Sequence, residues 1–133
     1  MSIIYTAIAR ENIMLVEYTK CTGNFILMAN EVLKFCKPEK KYARFQVQAY
    51  VFYTVYLGGV IYLCMCETDY PQRIAFLFLE EIRKLFEATF EESLVDKATL
   101  YGLSPFSKII EEKATLFNTP EKVDKISELK KVT

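Results

Sequence analysis

QVQAYVFYTVYLGGVIYLCMC, residues 46–66, carries no charged side chain and is long enough to cross a bilayer as a helix. Its composition points elsewhere. Gly58-Gly59 interrupts it midway, Tyr50, Tyr53, Tyr56 and Tyr62 are spread along it, and β-branched and aromatic residues dominate. Phenolic hydroxyls scattered through a lipid core would be left unpaired, at a cost of about 2 kcal/mol or more each. Two uncharged runs flanking a Gly-Gly pair are instead the signature of a β-hairpin, because a tight two-residue turn needs positive φ at its centre. The stretch therefore reads as two strands, Tyr50–Leu57 and Val60–Cys66.

Upstream, Tyr42–Val47 alternates weakly and reads as a strand preceding that hairpin. Nearer the start, Ser2–Arg10 and Ile13–Thr19 are apolar runs joined by Glu11-Asn12, with Asn12 expected to take positive φ. Thr22-Gly23-Asn24 offers a helix start, and Phe25, Ala29, Val32 and Cys36 follow as a helical stripe that ends before Pro38. Downstream, Asp69 is the expected cap of a long helix to about Phe90, with Ala75, Phe78, Leu79, Ile82, Phe86 and Thr89 on one stripe. Glu91–Gly102 reads as a polar connection, and Ser104-Pro105 opens a third helix carrying Phe106, Ile109, Ile110, Ala114 and Phe117. The order β-β-α-β-β-β-α-α predicts an α+β domain on a five-stranded antiparallel sheet.

The chain has 133 residues, of which 52% are apolar, enough for one domain with its own core. Seventeen basic and seventeen acidic side chains cancel, but residues 1–66 carry +3 and residues 67–133 carry −3. There is no His, which removes Ser-His and Cys-His nucleophile pairs and most zinc sites. Cys64 and Cys66 lack a second ligand pair, and Cys21, just ahead of the first helix, has only a faint claim as a nucleophile. No phosphate-binding or dinucleotide-binding glycine motif occurs, so neither enzyme activity, a cofactor nor a metal is expected. Neutral charge without an RNA-binding signature also argues against nucleic acid.

Two surface features carry functional expectations. Lys34, Lys37, Lys40, Lys41 and Arg44 form the densest charge cluster, suited to anionic headgroups or an acidic partner. Ile26, Met28 and Leu33 on the first helix, with Ala43 and Phe45 on the third strand, exceed what one sheet-facing stripe requires. Their margin would form an apolar groove for an amphipathic helix or extended peptide. After Asn118-Thr119-Pro120 the composition becomes charged, and Ile126 and Leu129 have coiled-coil spacing, whose next member is Thr133.

IARENIMLVEYTKCTGNF (residues 8–25) and DYPQRIAFLFLEEIRKLF (residues 69–86), with this strand order, resemble the longin domain of an R-SNARE. The first segment is most similar to the tetanus-insensitive vesicle-associated membrane proteins. The resemblance covers about residues 2–118, and VDKISELKKVT (residues 123–133) resembles the first turns of a SNARE motif. It implies a profilin-like fold, one helix on one sheet face and two on the other, with a longin domain over 1–118. Residues 119–133 would then be a linker and the start of a SNARE motif, with Ile126, Leu129 and Thr133 at early core layers. It further implies a regulatory, targeting module on the cytosolic face of endomembranes. Its groove, matched here by Met28, Val32, Leu33, Ala43 and Phe45, receives the protein's own SNARE motif or sorting and coat adaptors. Ala43 is smaller than the residue expected there. The central arginine and membrane anchor would fall beyond Thr133, so the chain is expected to be part of a longer protein that meets cognate SNAREs through that part. The alternative is a stand-alone longin-like subunit of a coat or tethering complex.

Overall fold

A computed structural model describes residues 2–119. Five strands, β1 (Ile3–Arg10), β2 (Ile13–Thr19), β3 (Tyr42–Val47), β4 (Tyr50–Leu57) and β5 (Val60–Glu67), pair antiparallel in the order β2-β1-β5-β4-β3. The helices are α1 (Phe25–Leu33), α2 (Gln72–Thr89), α3 (Glu92–Lys97) and α4 (Ser107–Phe117), the last entered through a 3-10 turn at Ser104–Phe106. This is the α+β arrangement expected from the sequence. Among the described residues no helix is long and apolar enough to cross a membrane.

The hairpin at 50–66 forms as read: Leu57 pairs with Val60 across Gly58 and Gly59, whose φ values are +64° and +79°. A Cβ on either glycine would have no atom within 4 Å, so the backbone and not crowding demands glycine. The β1–β2 turn departs from expectation, because positive φ falls on Glu11 (57°) and not on Asn12. Just beyond it, Ile8 pairs with Val16 but Ala9 pairs with Met14, leaving Leu15 as an extra residue. This bulge sends Leu15 and Val16 to the same face and Met14 to the other. The backbone N–H groups of Tyr101 and Leu103 donate to the Met14 and Leu15 carbonyls at 2.7 and 3.3 Å, closing part of the β2 edge.

One face of the sheet is covered by α2, α3 and α4. Ile74, Ala75, Phe78, Leu79, Ile82 and Phe86 of α2 pack on Val51, Val55, Tyr62, Cys64 and Cys66, and Ile110, Ala114 and Phe117 of α4 join them. The other face carries α1 alone, whose Ala29, Val32 and Leu33 meet Ala7, Phe52, Leu63 and Met65. Three local expectations change. Asp69 does not cap α2: Pro71 does, its carbonyl accepting from the N–H groups of Ile74 and Ala75, while Tyr70 between them is buried with its hydroxyl on the Phe117 carbonyl at 2.7 Å. Thr89 faces solvent and bonds the Leu85 carbonyl. The connection 91–102 contains α3, held by Arg10, whose guanidinium donates to the Val95 and Ala98 carbonyls at 3.0 and 2.9 Å.

Candidate functional site

The groove between α1 and β3 starts from two local choices. Helix α1 stops at Leu33, and the N–H groups of Phe35 and Cys36 turn back to Val32 and Leu33 at 3.0 and 3.3 Å. This takes Phe35 out of helical phase and leaves it 66% exposed. Strand β3 lies at the sheet edge, paired only with β4 among the described residues. Its alternation sends Phe45 and Val47 toward the α1 core, where both stay half-buried because the short helix does not reach over them. The resulting concavity, about 440 Å³, is lined by Val32, Phe35, Phe45 and Val47, with Glu31, Arg44 and Gln46 alongside.

Of the five residues expected at this groove, Val32 and Phe45 line it. Leu33 and Ala43 are buried at 6% and 7% exposure, and Met28 is half-buried against the α1 core. Phe35 and Val47 were missed. Val47 follows from the alternation 43-45-47; Phe35 is hidden because the helical stripe to Cys36 runs three residues past the helix end at Leu33. Cys36, expected on the inner stripe, is half-buried on the turn, and burial raises its thiol pKa against the opposing effect of a hydrogen bond with Thr54.

The five cations lie along the α1–β3 connection and the start of β3. Lys34 pairs with Glu31 at 3.0 Å, both side chains exposed, and Lys41 reaches Glu80 at 3.9 Å while lying 5.0 Å over the Tyr42 ring. Arg44 interacts with the Tyr53 hydroxyl, partly offsetting the upward push of burial on that phenol. Lys37 and Lys40 are exposed at the ends of a turn closed by a 3.0 Å backbone bond. Ile126, Leu129 and Thr133 lie outside the described residues.

Other chemistry is sparse. Cys64 and Cys66 are buried with their sulfurs 3.8 Å apart, and burial pushes the Cys64 thiol well up, toward the inert neutral form. Cys21 is exposed. Among the described residues no group of three or more Cys, Asp or Glu is placed to hold a metal ion. A second concavity, about 280 Å³, lies on the opposite face between α2 and α3, where Phe90 and Val95 are rimmed by Glu87, Glu92 and Asp96.

The chain is 28% identical over 128 residues to vesicle-associated membrane protein 7B of Dictyostelium discoideum, covering 96% of this chain and 49% of that protein. It is 26% identical over 133 residues to vesicle-associated membrane protein 714 of Arabidopsis thaliana, covering 98% and 60%. It is also 26% identical over 129 residues to vesicle-associated membrane protein 7 of Mus musculus, covering 96% and 58%. The chain thus spans about half to three fifths of the length of these curated relatives. The Longin family model, described as a regulated-SNARE-like domain, matches residues 15–110, a span that runs from the β2 bulge into α4 and includes the whole groove. With that match over most of its length, and with the sheet order and helix placement described above, this chain belongs to the longin family.

Proposed function

We propose that the chain is the N-terminal regulatory and targeting domain of an R-SNARE in vesicle trafficking. It acts by holding a helical or extended segment in the α1–β3 groove. The observation that carries this reading is the open apolar lining at a sheet edge, with Phe35 exposed and Phe45 and Val47 half-buried beside the buried Val32. A segment with apolar residues at helical spacing would bury that lining. The first occupant is the protein's own SNARE motif, and sorting or coat adaptors compete for the same place. Because one apolar stripe of a SNARE helix cannot face the groove and a four-helix bundle together, occupancy slows assembly with cognate SNAREs. The names of the relatives, each a vesicle-associated membrane protein, support placement on the cytosolic face of endomembranes. Neither enzyme activity nor a cofactor enters this mechanism.

The test is fluorescence anisotropy of a labelled R-SNARE-motif peptide titrated with the chain and with Phe45→Ser and Leu94→Ser variants. Leu94 is half-exposed on α3, on the other face of the sheet. The reading expects saturable binding that weakens tenfold or more in Phe45→Ser and is unchanged in Leu94→Ser. Absence of binding, or equal loss in both folded variants, overturns it. Leu33→Ser is a poor probe, because Leu33 is a core residue whose loss would unfold as readily as unbind.

A further inference from the structure

We propose that the α1–β3 connection is a docking surface for an anionic lipid bilayer, with Lys37 and Lys40 against the headgroups and Phe35 entering the interface. Residues 34–44 hold five cations and one acid, Glu39. Lys34 and Lys41 are partly neutralised by Glu31 and Glu80, so the outward field comes from Lys37, Lys40 and Arg44, all exposed. Phe35 stands between Lys34 and Lys37 at 66% exposure, and the backbone around it is fixed by the Phe35-to-Val32 and Lys40-to-Lys37 bonds, both 3.0 Å. An acidic protein would need only the cations. A large exposed ring held among them fits a surface that offers both charge and an apolar boundary, which is a bilayer. On the opposite face Glu92 and Asp96 of α3 are acidic and Glu87 is paired with Arg83 at 2.8 Å, so an anionic surface is drawn to the side that carries Lys37 and Lys40. Lys37 and Lys40 do not line the groove, whereas Phe35 does, so the two lysines are what separates this contact from groove occupancy.

The experiment is flotation of the 133-residue chain with phosphatidylcholine vesicles, with and without phosphatidylserine, at low and at physiological salt. The expected result is binding only with phosphatidylserine, weaker at higher salt. At about fivefold per cation near the surface, Lys37→Gln/Lys40→Gln should bind about twenty-five-fold more weakly. Phe35→Ser should bind severalfold more weakly with an unchanged salt dependence. All three positions are exposed, so far-ultraviolet circular dichroism should match that of the parent chain. The R-SNARE-motif peptide should bind the lysine variant undiminished, which separates this contact from the groove. No phosphatidylserine-dependent flotation, or full binding by the lysine variant, overturns the proposal; capture of polyglutamate without vesicle binding would assign the patch to an acidic protein instead.

Discussion

The two faces of the sheet are filled by different means. On the α2 face, aromatic rings interlock edge to face: Tyr62 on Phe86 at 5.8 Å, Phe86 on Phe106 at 5.3 Å and Phe78 on Phe117 at 5.4 Å. Helices of 18 and 11 residues close over them. On the α1 face a helix of nine residues joins Ala29, Val32 and Leu33 to a core of Ala7, Ala9, Phe52, Leu63 and Met65, and Phe45 and Val47 are left partly open beside it. Helices of 18 and 11 residues cover most of the α2 face, whereas a nine-residue helix spans less of the other face and leaves Phe45 and Val47 partly open. The thick face holds the interlocked aromatic core, and the thin face presents the open apolar surface to which the proposed binding is assigned.

The sharpest way to break this comparison is to cut large side chains on the thick face. Phe78→Ala removes a ring at 0% exposure and should cost about 3–5 kcal/mol in urea unfolding. A loss under 1 kcal/mol would mean the face is not close-packed. Alkali probes the same division. Burial holds the Tyr62 and Tyr70 phenols on the thick face, and Tyr5 on the thin one, above their ordinary value of 10.0. Each contributes stability that is fully present below about pH 10 and is lost as pH rises toward the folded-state value, by up to about 1.4 kcal/mol per pH unit. Tyr70→Phe should flatten that fall in a pH-resolved denaturation series, and an unchanged slope would contradict the assignment.

Smaller effects sharpen the picture. Gly58→Ala places a side chain at φ +64° and should cost about 1–2 kcal/mol with no change in groove binding. Phe35→Ser on the thin face should change stability by no more than about 0.5 kcal/mol while weakening both groove and vesicle binding. A thermal shift as large as that of Phe78→Ala would place Phe35 in the core and contradict its exposure.

Much of this architecture was legible because the patterns were local. The Gly-Gly turn, the alternation of β3 and the α2 stripe from Ala75 to Phe86 each follow from backbone geometry within one element. What was not legible depended on where elements stop or on distant partners. Asp69 has the chemistry of a cap, but Tyr70 is drawn into the core by the Phe117 carbonyl and the helix begins two residues later. Helix α3 is six residues long with one buried side chain, Val95, too short for any periodicity. Its anchor, Arg10, lies more than eighty residues away in the chain. At the groove, Phe45 follows from the apolar surplus and Val32 from the family resemblance. Phe35 came only with the helix end, and Leu33, counted as surplus, turned out to be core.

The central claim, that the thin face receives a helical segment, is tested most directly by amide chemical-shift mapping of the chain with an R-SNARE-motif peptide. The account predicts saturable shifts along 31–35 and 44–47, with the α2–α3 concavity at Phe90 and Val95 silent. Shifts centred on Phe90 and Val95, or none at all, would contradict it.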